Sequence, residues 1–350
     1  MNEVYINLIK QINTSCDYKV GGVFVLIAVN DEGHYVSADR AAGKGFKCPV
    51  CLSPVILKKG RYKIPHFSHQ RIQDCFKSTY KQESAAHLAG KHELYRLAQH
   101  EHVAMEYYLH DIEQIPDILV NNKLALEIQL SVIPVTTLIE RTYGYRRIGM
   151  DVIWIAAEES LKKEGQALKL TLFQRSMVNA SMRRLITYDA GKNKFYRYQL
   201  TGLTESMAVM YKRQQITAVN ELMNIHDGPS SSQCLLISES ARDSYIRRCQ
   251  SKKSVLEPTL SALYQLRINW QQLPEELGII VPSQFYIRTH PIQWQSRLRL
   301  LVIRDEFTMQ KFKEELDFFV YYASDLDHEQ LTKQLLQEYR EAVRNLYVQI

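Results

Sequence analysis

The chain contains 350 residues, of which 45% are hydrophobic and 23% are charged, and this composition excludes a largely disordered, collagen-like or coiled-coil protein. At roughly 100–200 residues per domain, the length predicts two or three domains. Lysine and arginine outnumber aspartate and glutamate by 44 to 38, a mild basic excess that permits a polyanionic partner without requiring one. No apolar run approaches the ~18 residues of a membrane-spanning helix, so we expect no membrane partner.

The first part of the chain is predicted to be an extension followed by a β-rich block. Residues 1–20 have a loose helical pattern. The apolar run 20–29 could imitate a secretory signal, but it is rich in β-branched residues and precedes the turn 30–33. A strand, a turn and a second strand are therefore favoured. Residues 21–77 are predicted to be this β-hairpin plus a zinc-binding block.

The segment 78–160 has the pattern of a mixed α/β core. A helix is expected from about Ser78, with Ser78 or Thr79 as its cap, to His102. The elements expected after it are a possible strand at 101–109, strands at 115–120 and 124–130 joined by the loop 121–123, a helix at 136–148 and a buried strand at 151–156.

The rest of the chain is less informative. Residues 161–233 are interpreted as a connecting region with a possible strand at 168–173 and a small hairpin at 194–198. The segment 226–233 is the strongest linker signal. Residues 234–350 are predicted to form a mainly α-helical domain that closes with the amphipathic run 329–348.

Three cysteines and two histidines lie within 28 residues of one another and predict a metal site. Cys48 and Cys51, three positions apart on a turn, can direct two thiolates at one ion. We choose Cys48, Cys51, His69 and Cys75 as the four ligands of a tetrahedral Zn²⁺, with His66 as the alternative ligand. Because protein ligands fill all four positions, the site is predicted to be structural. The alternative is that these residues are incidental surface groups.

A second set of residues predicts a site for a hard cation. If 121–123 is a three-residue loop, Asp117 pairs opposite Glu127, and the repulsion between two carboxylates is relieved by Mg²⁺ or Mn²⁺. The preceding helix carries Glu83, His87 and Lys91 along one stripe. Taken singly, each of these residues fits a turn or a solvated face. Their combination favours a site.

These motifs resemble the competence protein CoiA family over about residues 21–156. The family has a CxxC, HFxH and Cys block, an ES-x-x-H-x-x-x-K helix, a PD pair and an E-I-Q-x-S strand, then an Arg-Thr-x-x-Tyr helix and an apolar strand with a tryptophan. The matching positions here are Cys48–Cys51, His66–His69, Cys75, Glu83–Lys91, Pro116-Asp117, Glu127–Ser131, Arg141–Tyr145 and Val152–Ile155. The family usually begins near residue 23, so residues 1–20 are an extension.

The resemblance implies a restriction-endonuclease-like PD-(D/E)xK core and a cytoplasmic role in handling DNA during natural transformation of Gram-positive bacteria. Asp117 and Glu127 would hold the catalytic Mg²⁺ or Mn²⁺, with Glu83 and the Ile128 carbonyl as further candidates. Gln129 stands where the general pattern has lysine, and glutamine cannot carry that charge. Lys91 or Arg141 could supply it.

The expected partner is single- or double-stranded DNA, recognised through its backbone. His87, Arg141 and Tyr145 are the candidate contacts beside the site. Two functions stay open: a metal-dependent DNA nuclease of competence, and a non-catalytic recombination accessory that docks a recombinase or loader through its helical domain. A third possible function is that of a regulator that is stabilised by zinc and has no nuclease chemistry.

Overall fold

The structure is a computed structural model that describes residues 24–25, 27–49, 51–60, 63–69, 84–223, 233–322 and 326–348. The chain divides into two compact units. Unit 1 comprises Met1–Ser160, Ile186–Arg197 and Gln214–Asn224, and unit 2 comprises Leu161–Leu185, Tyr198–Arg213 and Ile225–Ile350. The five-part division made from the sequence stays a prediction. The protein is a mixed α/β protein.

Unit 1 begins with a six-stranded antiparallel sheet. Its strands are β1 (Phe24–Val25), β2 (Ile27–Val29), β3 (Tyr35–Ser37), β4 (Phe46–Lys47), β5 (Pro54–Gly60) and β6 (Lys63–His69), in the order β1-β6-β5-β4-β2-β3. The predicted β-hairpin is β2–β3. Asn30 closes its turn, because its side chain accepts hydrogen bonds from the backbone N–H groups of Glu32 and His34. Gly33 supplies the left-handed φ of 82° that such a turn needs. Phe46 and Phe67 pack in the core of this sheet.

The next six elements of unit 1 have the predicted order helix, strand, strand, strand, helix, strand. They are α1 (Ala85–Leu97), β7 (Val103–Met105), β8 (Ile118–Val120), β9 (Leu124–Gln129), α2 (Val135–Arg147) and β10 (Asp151–Ala157). Strands β7, β8 and β9 are antiparallel, and β10 lies parallel to β9 after the α2 crossover. Helix α1 is capped by Ser84, whose hydroxyl accepts a hydrogen bond from the His87 N–H. The predicted caps Ser78 and Thr79 lie outside the described residues.

Helix α1 lies close to the sheet because it carries Gly90 on its inner face. A Cβ atom at this position would come 3.1 Å from side-chain atoms of both Ile128 and Tyr188. The absence of a side chain therefore lets the helix backbone approach β9. Leu88, Leu94, Ile118 and Ile128 share the resulting core. This packing determines which face of helix α1 is turned toward the ends of strands β8 and β9.

The segment after β10 differs from its prediction. It contains β11 (Lys162–Glu164), β12 (Ala167–Lys169), α3 (Leu172–Ser176), β13 (Arg184–Asp189), β14 (Lys194–Leu203), β15 (Val209–Ile216) and α4 (Asn220–Met223). The strand expected at 168–173 ends at Lys169, because Thr171 and Gln174 form a capping box that starts α3. The residues expected to form a small hairpin at 194–198 begin the ten-residue strand β14.

Strands β13, β14 and β15 are divided between the two units. In unit 1 the order is β7-β8-β9-β10-β13-β14-β15, and in unit 2 it is β11-β12-β15-β14-β13. Strand β13 is parallel to β10. Strand β10 therefore has parallel neighbours on both sides, and its residues Val152, Trp154, Ile155 and Ala156 are buried.

The remainder of unit 2 is mainly helical, as expected. Its elements are β16 (Leu235–Leu236), α5 (Glu239–Ser251), α6 (Pro258–Gln265), β17 (Ile279–Ile280), α7 (Pro291–Ile303), α8 (Met309–Glu314) and α9 (His328–Val348). Trp294 lies at the centre of its core, with its indole N–H donating to Gln284 over 2.8 Å. Helix α9 is the predicted amphipathic run and buries Leu331, Leu335 and Leu336. Within the described part of the chain, every helix is too short or too polar to cross a bilayer.

Candidate metal-binding and carboxylate sites

The Cys/His cluster consists of Cys48, Cys51 and His69 at one end of the amino-terminal sheet. Cys48 follows β4 and starts a tight turn, in which the Leu52 N–H donates to the Cys48 carbonyl over 2.9 Å. His69 ends β6 and is buried. Its Nε2 lies 3.4 Å from the Cys51 Sγ, and the ligand atoms of all three residues lie within 4.8 Å of one another. The cluster could hold a metal ion.

The two other predicted ligands stand differently. His66 is also buried on β6, where it pairs with Lys58. Because it is three residues from His69 on a strand, it points to the opposite face. Among the described residues, the ligand group contains His69 and not His66. Cys75 lies outside the described residues.

Asp117 occupies the position expected from the loop length. Val120 pairs with Leu124 and Ile118 with Leu126, so the next step of this register brings Asp117 opposite Glu127. The Asp117 Oδ2 accepts a hydrogen bond of 2.7 Å from the Ile128 N–H. The carboxylate is buried, and the turn of the chain before β8 thereby holds it against β9.

Helix α1 supplies two basic groups to Asp117. The Lys91 Nζ lies 3.0 Å from the Asp117 Oδ1, and the His87 Nε2 lies 3.0 Å from Oδ2. Lys91 also donates to the Glu106 Oε1 over 2.8 Å, although it is only 2% exposed. A lysine is seldom this deeply buried unless carboxylates pair with it.

Glu127 is held from the other side by helix α2. Arg141 and the hydroxyl of Tyr145 both donate to Glu127 Oε1. The Arg141 guanidinium also lies over the ring of Trp154, 5.0 Å from its centroid. The Trp154 indole donates to the Thr142 hydroxyl over 2.9 Å, which ties β10 to α2.

The two carboxylates have opposite electrostatic environments. Burial alone would raise the pKa of Asp117, but Lys91, His87 and the Ile128 N–H outweigh it and hold this pKa well below its usual value. Burial raises the pKa of Glu127, and the negative charge of Asp117 raises it further against the opposing effect of Arg141. Burial and Glu127 likewise raise the pKa of Tyr145 well above its usual value.

The donor set of the pair suits a hard divalent cation. Both chain contacts of Glu127 fall on Oε1, so among the described residues Oε2 accepts no hydrogen bond. The Asp117 Oδ1 contacts only Lys91 within that same part of the chain, and a carboxylate oxygen can accept two partners. The repulsion that raises the pKa of Glu127 is of the kind that a cation relieves. However, among the described residues no third ligand-type side chain joins Asp117 and Glu127 in a group whose ligand atoms all lie within 4.8 Å of one another. The Cys/His cluster does form such a group.

Two of the predicted site residues, Gln129 and Tyr145, are buried with partners inside the protein, and a third, Glu83, is not described. Gln129 is buried. Its side-chain amide donates a hydrogen bond of 2.7 Å to the carbonyl of Ser131, just after the end of the same strand. Tyr145 is fully buried, and we therefore assign its hydroxyl to Glu127 rather than to DNA, because it has no surface to offer a substrate. Glu83 lies outside the described residues.

Sequence reasoning did not identify Glu106. This glutamate is buried and pairs with Lys91, but it belongs to none of the motifs. An acid inside the apolar run Val-Ala-Met-Glu-Tyr-Tyr at 103–108 was the available signal, because a buried charge requires a partner. We call Glu106, Asp117 and Glu127 the carboxylate cluster.

Together these elements define a mixed α/β protein in which a sheet with a Cys/His cluster precedes a domain that buries a carboxylate cluster. The family model for the competence protein CoiA nuclease-like domain matches residues 83–227, and that for the CoiA amino-terminal domain matches residues 32–78. These matches together cover more than half of the sequence, and the chain belongs to the competence protein CoiA family.

One curated relative is the competence protein CoiA of Bacillus subtilis (strain 168). It is 33% identical over 159 residues, which are 43% of this chain and 42% of that protein. The match thus spans less than half the length of that relative. No solved structure matches this chain.

Proposed function

We propose that this protein processes DNA during natural competence in the cytoplasm, as a divalent-metal-dependent nuclease acting on the phosphodiester backbone. Membership of a family with a nuclease-like domain supports the class of activity. The observation that carries the proposal is the position of Lys91, whose ammonium lies 3.0 Å from Asp117 at the point where Asp117 and Glu127 pair.

Asp117 and Glu127 are the proposed ligands of Mg²⁺ or Mn²⁺, with the Ile128 carbonyl beside them. When bound, such an ion lowers the pKa of a coordinated water and stabilises charge on the phosphate. The Ile128 N–H orients Asp117 from behind through its 2.7 Å hydrogen bond. Arg141 and Tyr145 orient Glu127 in the same way, by holding one of its two oxygens.

Lys91 takes the role for which the general PD-(D/E)xK pattern uses a lysine at the position of Gln129. A lysine beside the carboxylates supplies positive charge to the attacking water or the phosphate, which glutamine cannot. The buried contact between Lys91 and Asp117 supports this role, because it brings an ammonium group from helix α1 to the carboxylates. His87, which contacts the other oxygen of Asp117 and is partly exposed, is the proposed group nearest the substrate.

We propose Zn²⁺ as the ion of the Cys/His cluster, with Cys75 as the fourth ligand. Two thiolates and an imidazole are the donors that zinc prefers. An ion held by four protein groups would be structural and would stabilise a block whose strands are short.

The test is cleavage of labelled single- and double-stranded DNA with Mn²⁺. We expect Asp117→Ala, Glu127→Gln and Lys91→Met each to lower the rate by at least about 100-fold, since each removes a group that acts on the metal or the phosphate. Asp111→Asn is the matched control, because Asp111 is an exposed acid of the same segment. Cleavage that persists in Asp117→Ala would come from a contaminant and would refute the assignment.

One observation favours a second function, a non-catalytic DNA-binding accessory that docks a recombinase or loader through its helical region. Both carboxylates already have a cationic partner from the chain, Lys91 for Asp117 and Arg141 for Glu127, and the His87 ring also contacts Asp117. This alternative predicts that DNA binds in the presence of a chelator and is not cut. A wild-type protein that binds DNA with equal affinity with and without Mn²⁺, and leaves it intact, would favour the accessory.

A further inference from the structure

We infer that Glu106 is a positioning residue for Lys91, an inference that rests on the proposed nuclease function. Among the described residues, Lys91 pairs with the carboxylates of Glu106, at 2.8 Å, and of Asp117, at 3.0 Å. Lys91 and Glu106 are both buried. With Asp117 as its sole partner, Lys91 would compete with a metal ion for the same oxygen. Glu106 gives the ammonium a second anchor and leaves Asp117 able to bind the ion.

The backbone fixes Glu106 in this position. Val103 pairs with Val120 and Met105 with Ile118, and the next step of this register brings Glu106 opposite Asp117. The Glu106 N–H donates to the Asp117 carbonyl over 3.2 Å. The three acids of the carboxylate cluster therefore lie in one row across the sheet, with Glu106 one residue after β7, Asp117 one residue before β8 and Glu127 inside β9.

Glu106 adopts a left-handed conformation, with φ of 51°. Residues other than glycine, asparagine and aspartate take this conformation uncommonly. At Glu106 it ends strand β7 and coincides with the contact to Lys91. The next residue, Tyr107, packs its ring 5.6 Å from the ring of Tyr35, on the strand β3 of the amino-terminal sheet. This ring contact links the sheet that carries the Cys/His cluster to the segment that holds Glu106.

The geometry favours a positioning role over direct metal ligation. The oxygens of Glu106, Asp117 and Glu127 are not all within 4.8 Å of one another in the described part of the chain. The Glu106 carboxylate accepts a hydrogen bond from the Lys91 ammonium. Glu106 thus acts on the reaction through Lys91.

The experiment compares Glu106→Gln, Lys91→Met and the double variant in single-turnover DNA cleavage with Mn²⁺. Glu113→Gln is the matched control, since Glu113 has nearly the same φ of 52° in the same segment but is exposed. We expect Glu106→Gln to slow cleavage by about 10–100-fold, the usual effect of losing a group that orients a site residue. The double variant should be no slower than Lys91→Met, because Glu106 acts through Lys91. The Mn²⁺ affinity of the double variant should equal that of Lys91→Met.

A merely structural role would lower the Mn²⁺ affinity and the DNA affinity along with the rate, whereas positioning lowers the rate and leaves DNA affinity within about threefold of wild type. The inference is overturned if Glu106→Gln cleaves as fast as Glu113→Gln, or if the two single effects multiply in the double variant. It is also overturned if Glu106→Gln loses Mn²⁺ affinity in the Lys91→Met background, which would make Glu106 a ligand.

The double variant removes both charges together, so it keeps the comparison available where Glu106→Gln alone destabilises the fold. A wild-type protein that neither binds Mn²⁺ nor cuts DNA overturns the proposed function, and this role with it.

Discussion

The Cys/His cluster and the carboxylate cluster both gather ligand-type side chains, but they balance charge in different ways. Cys51 and His69 lie 3.4 Å apart, and thiols and imidazoles can be neutral when no ion is bound. The buried carboxylates cannot stay ionised without compensation, so the chain places Lys91, His87 and Arg141 against them. With the proposed Zn²⁺ in place, we expect the Cys/His block to depend on that ion for its stability, whereas the carboxylate cluster already has cationic partners from the chain.

The strongest test of this contrast is loss of metal from the Cys/His cluster. We expect Cys48→Ser, or treatment with a strong chelator, to unfold the amino-terminal block, because the apparent binding energy of structural zinc is about 10–16 kcal/mol in small zinc domains. Zinc content by mass spectrometry and limited proteolysis between residues 24 and 69 would measure it.

Cys234→Ser is the control, since Cys234 is exposed and belongs to unit 2. An unchanged zinc content in Cys48→Ser, or a block that resists protease equally without metal, would contradict the dependence on an ion.

The next largest effect is expected from breaking the ion pairs of the carboxylate cluster. Asp117→Ala leaves Lys91 and His87 facing a buried gap, and removing one partner of a buried pair costs about 3–5 kcal/mol. Urea unfolding of the zinc-loaded proteins, without added Mg²⁺ or Mn²⁺, would measure this loss. Asp111→Ala, at an exposed position, should cost far less.

The same pair offers a sharper check. Lys91→Met leaves both Asp117 and Glu106 without their buried lysine, so adding Asp117→Ala to it removes one uncompensated carboxylate, and the double variant should lose less stability than the sum of the two single losses. Strictly additive losses would mean that Lys91 and Asp117 do not stabilise each other.

A smaller effect is expected at His290 in unit 2, a half-buried group that is neutral rather than ion-paired. Its ring stacks on Tyr245 with centroids 3.6 Å apart, and burial, with Arg248 nearby, lowers its pKa to about 3 from the ordinary 6.5. The unfolded chain takes up a proton below pH 6.5 that the folded chain resists. This contribution to stability is therefore complete above pH 6.5 and is lost as the pH falls, by at most about 1.4 kcal/mol per pH unit.

Unfolding of wild type and His290→Asn between pH 7.5 and 5 would measure this slope. Asparagine does not titrate and can still cap helix α7, as the His290 ring does by accepting a hydrogen bond from the Ile292 N–H. Equal slopes for the two proteins would show that His290 does not titrate differently on folding.

The smallest effect is expected for Arg141→Lys. Lysine keeps a positive charge beside Glu127 but loses the planar group over the Trp154 ring, a contact generally worth about 0.5–2 kcal/mol. Thermal unfolding against Arg146→Lys, an exposed neighbour on α2, would detect it. A loss no larger than that of Arg146→Lys would mean that charge alone matters at this position.

Much of the carboxylate site could be predicted from local patterns. The loop 121–123 sets the register of β8 and β9, so it brings Asp117 opposite Glu127 without any tertiary information. The helical spacing of His87 and Lys91 puts both on one face of α1, and both do contact Asp117. The strand expected at 168–173 is present only to Lys169, because the alternation of residue types concealed the capping box of Thr171.

The sequence by itself determined the order of helices and strands around the site, the pairing of Asp117 with Glu127 and the grouping of cysteines with histidines, because these depend on short-range periodicity and spacing. Only the tertiary structure decided that Glu106 shares Lys91 with Asp117, that Arg141 and Tyr145 hold Glu127, and that Gln129 is bound to Ser131. Apart from the local contact between Gln129 and Ser131, these contacts join different secondary-structure elements. They are selected by the requirement that every buried charge finds a partner, which no local pattern encodes.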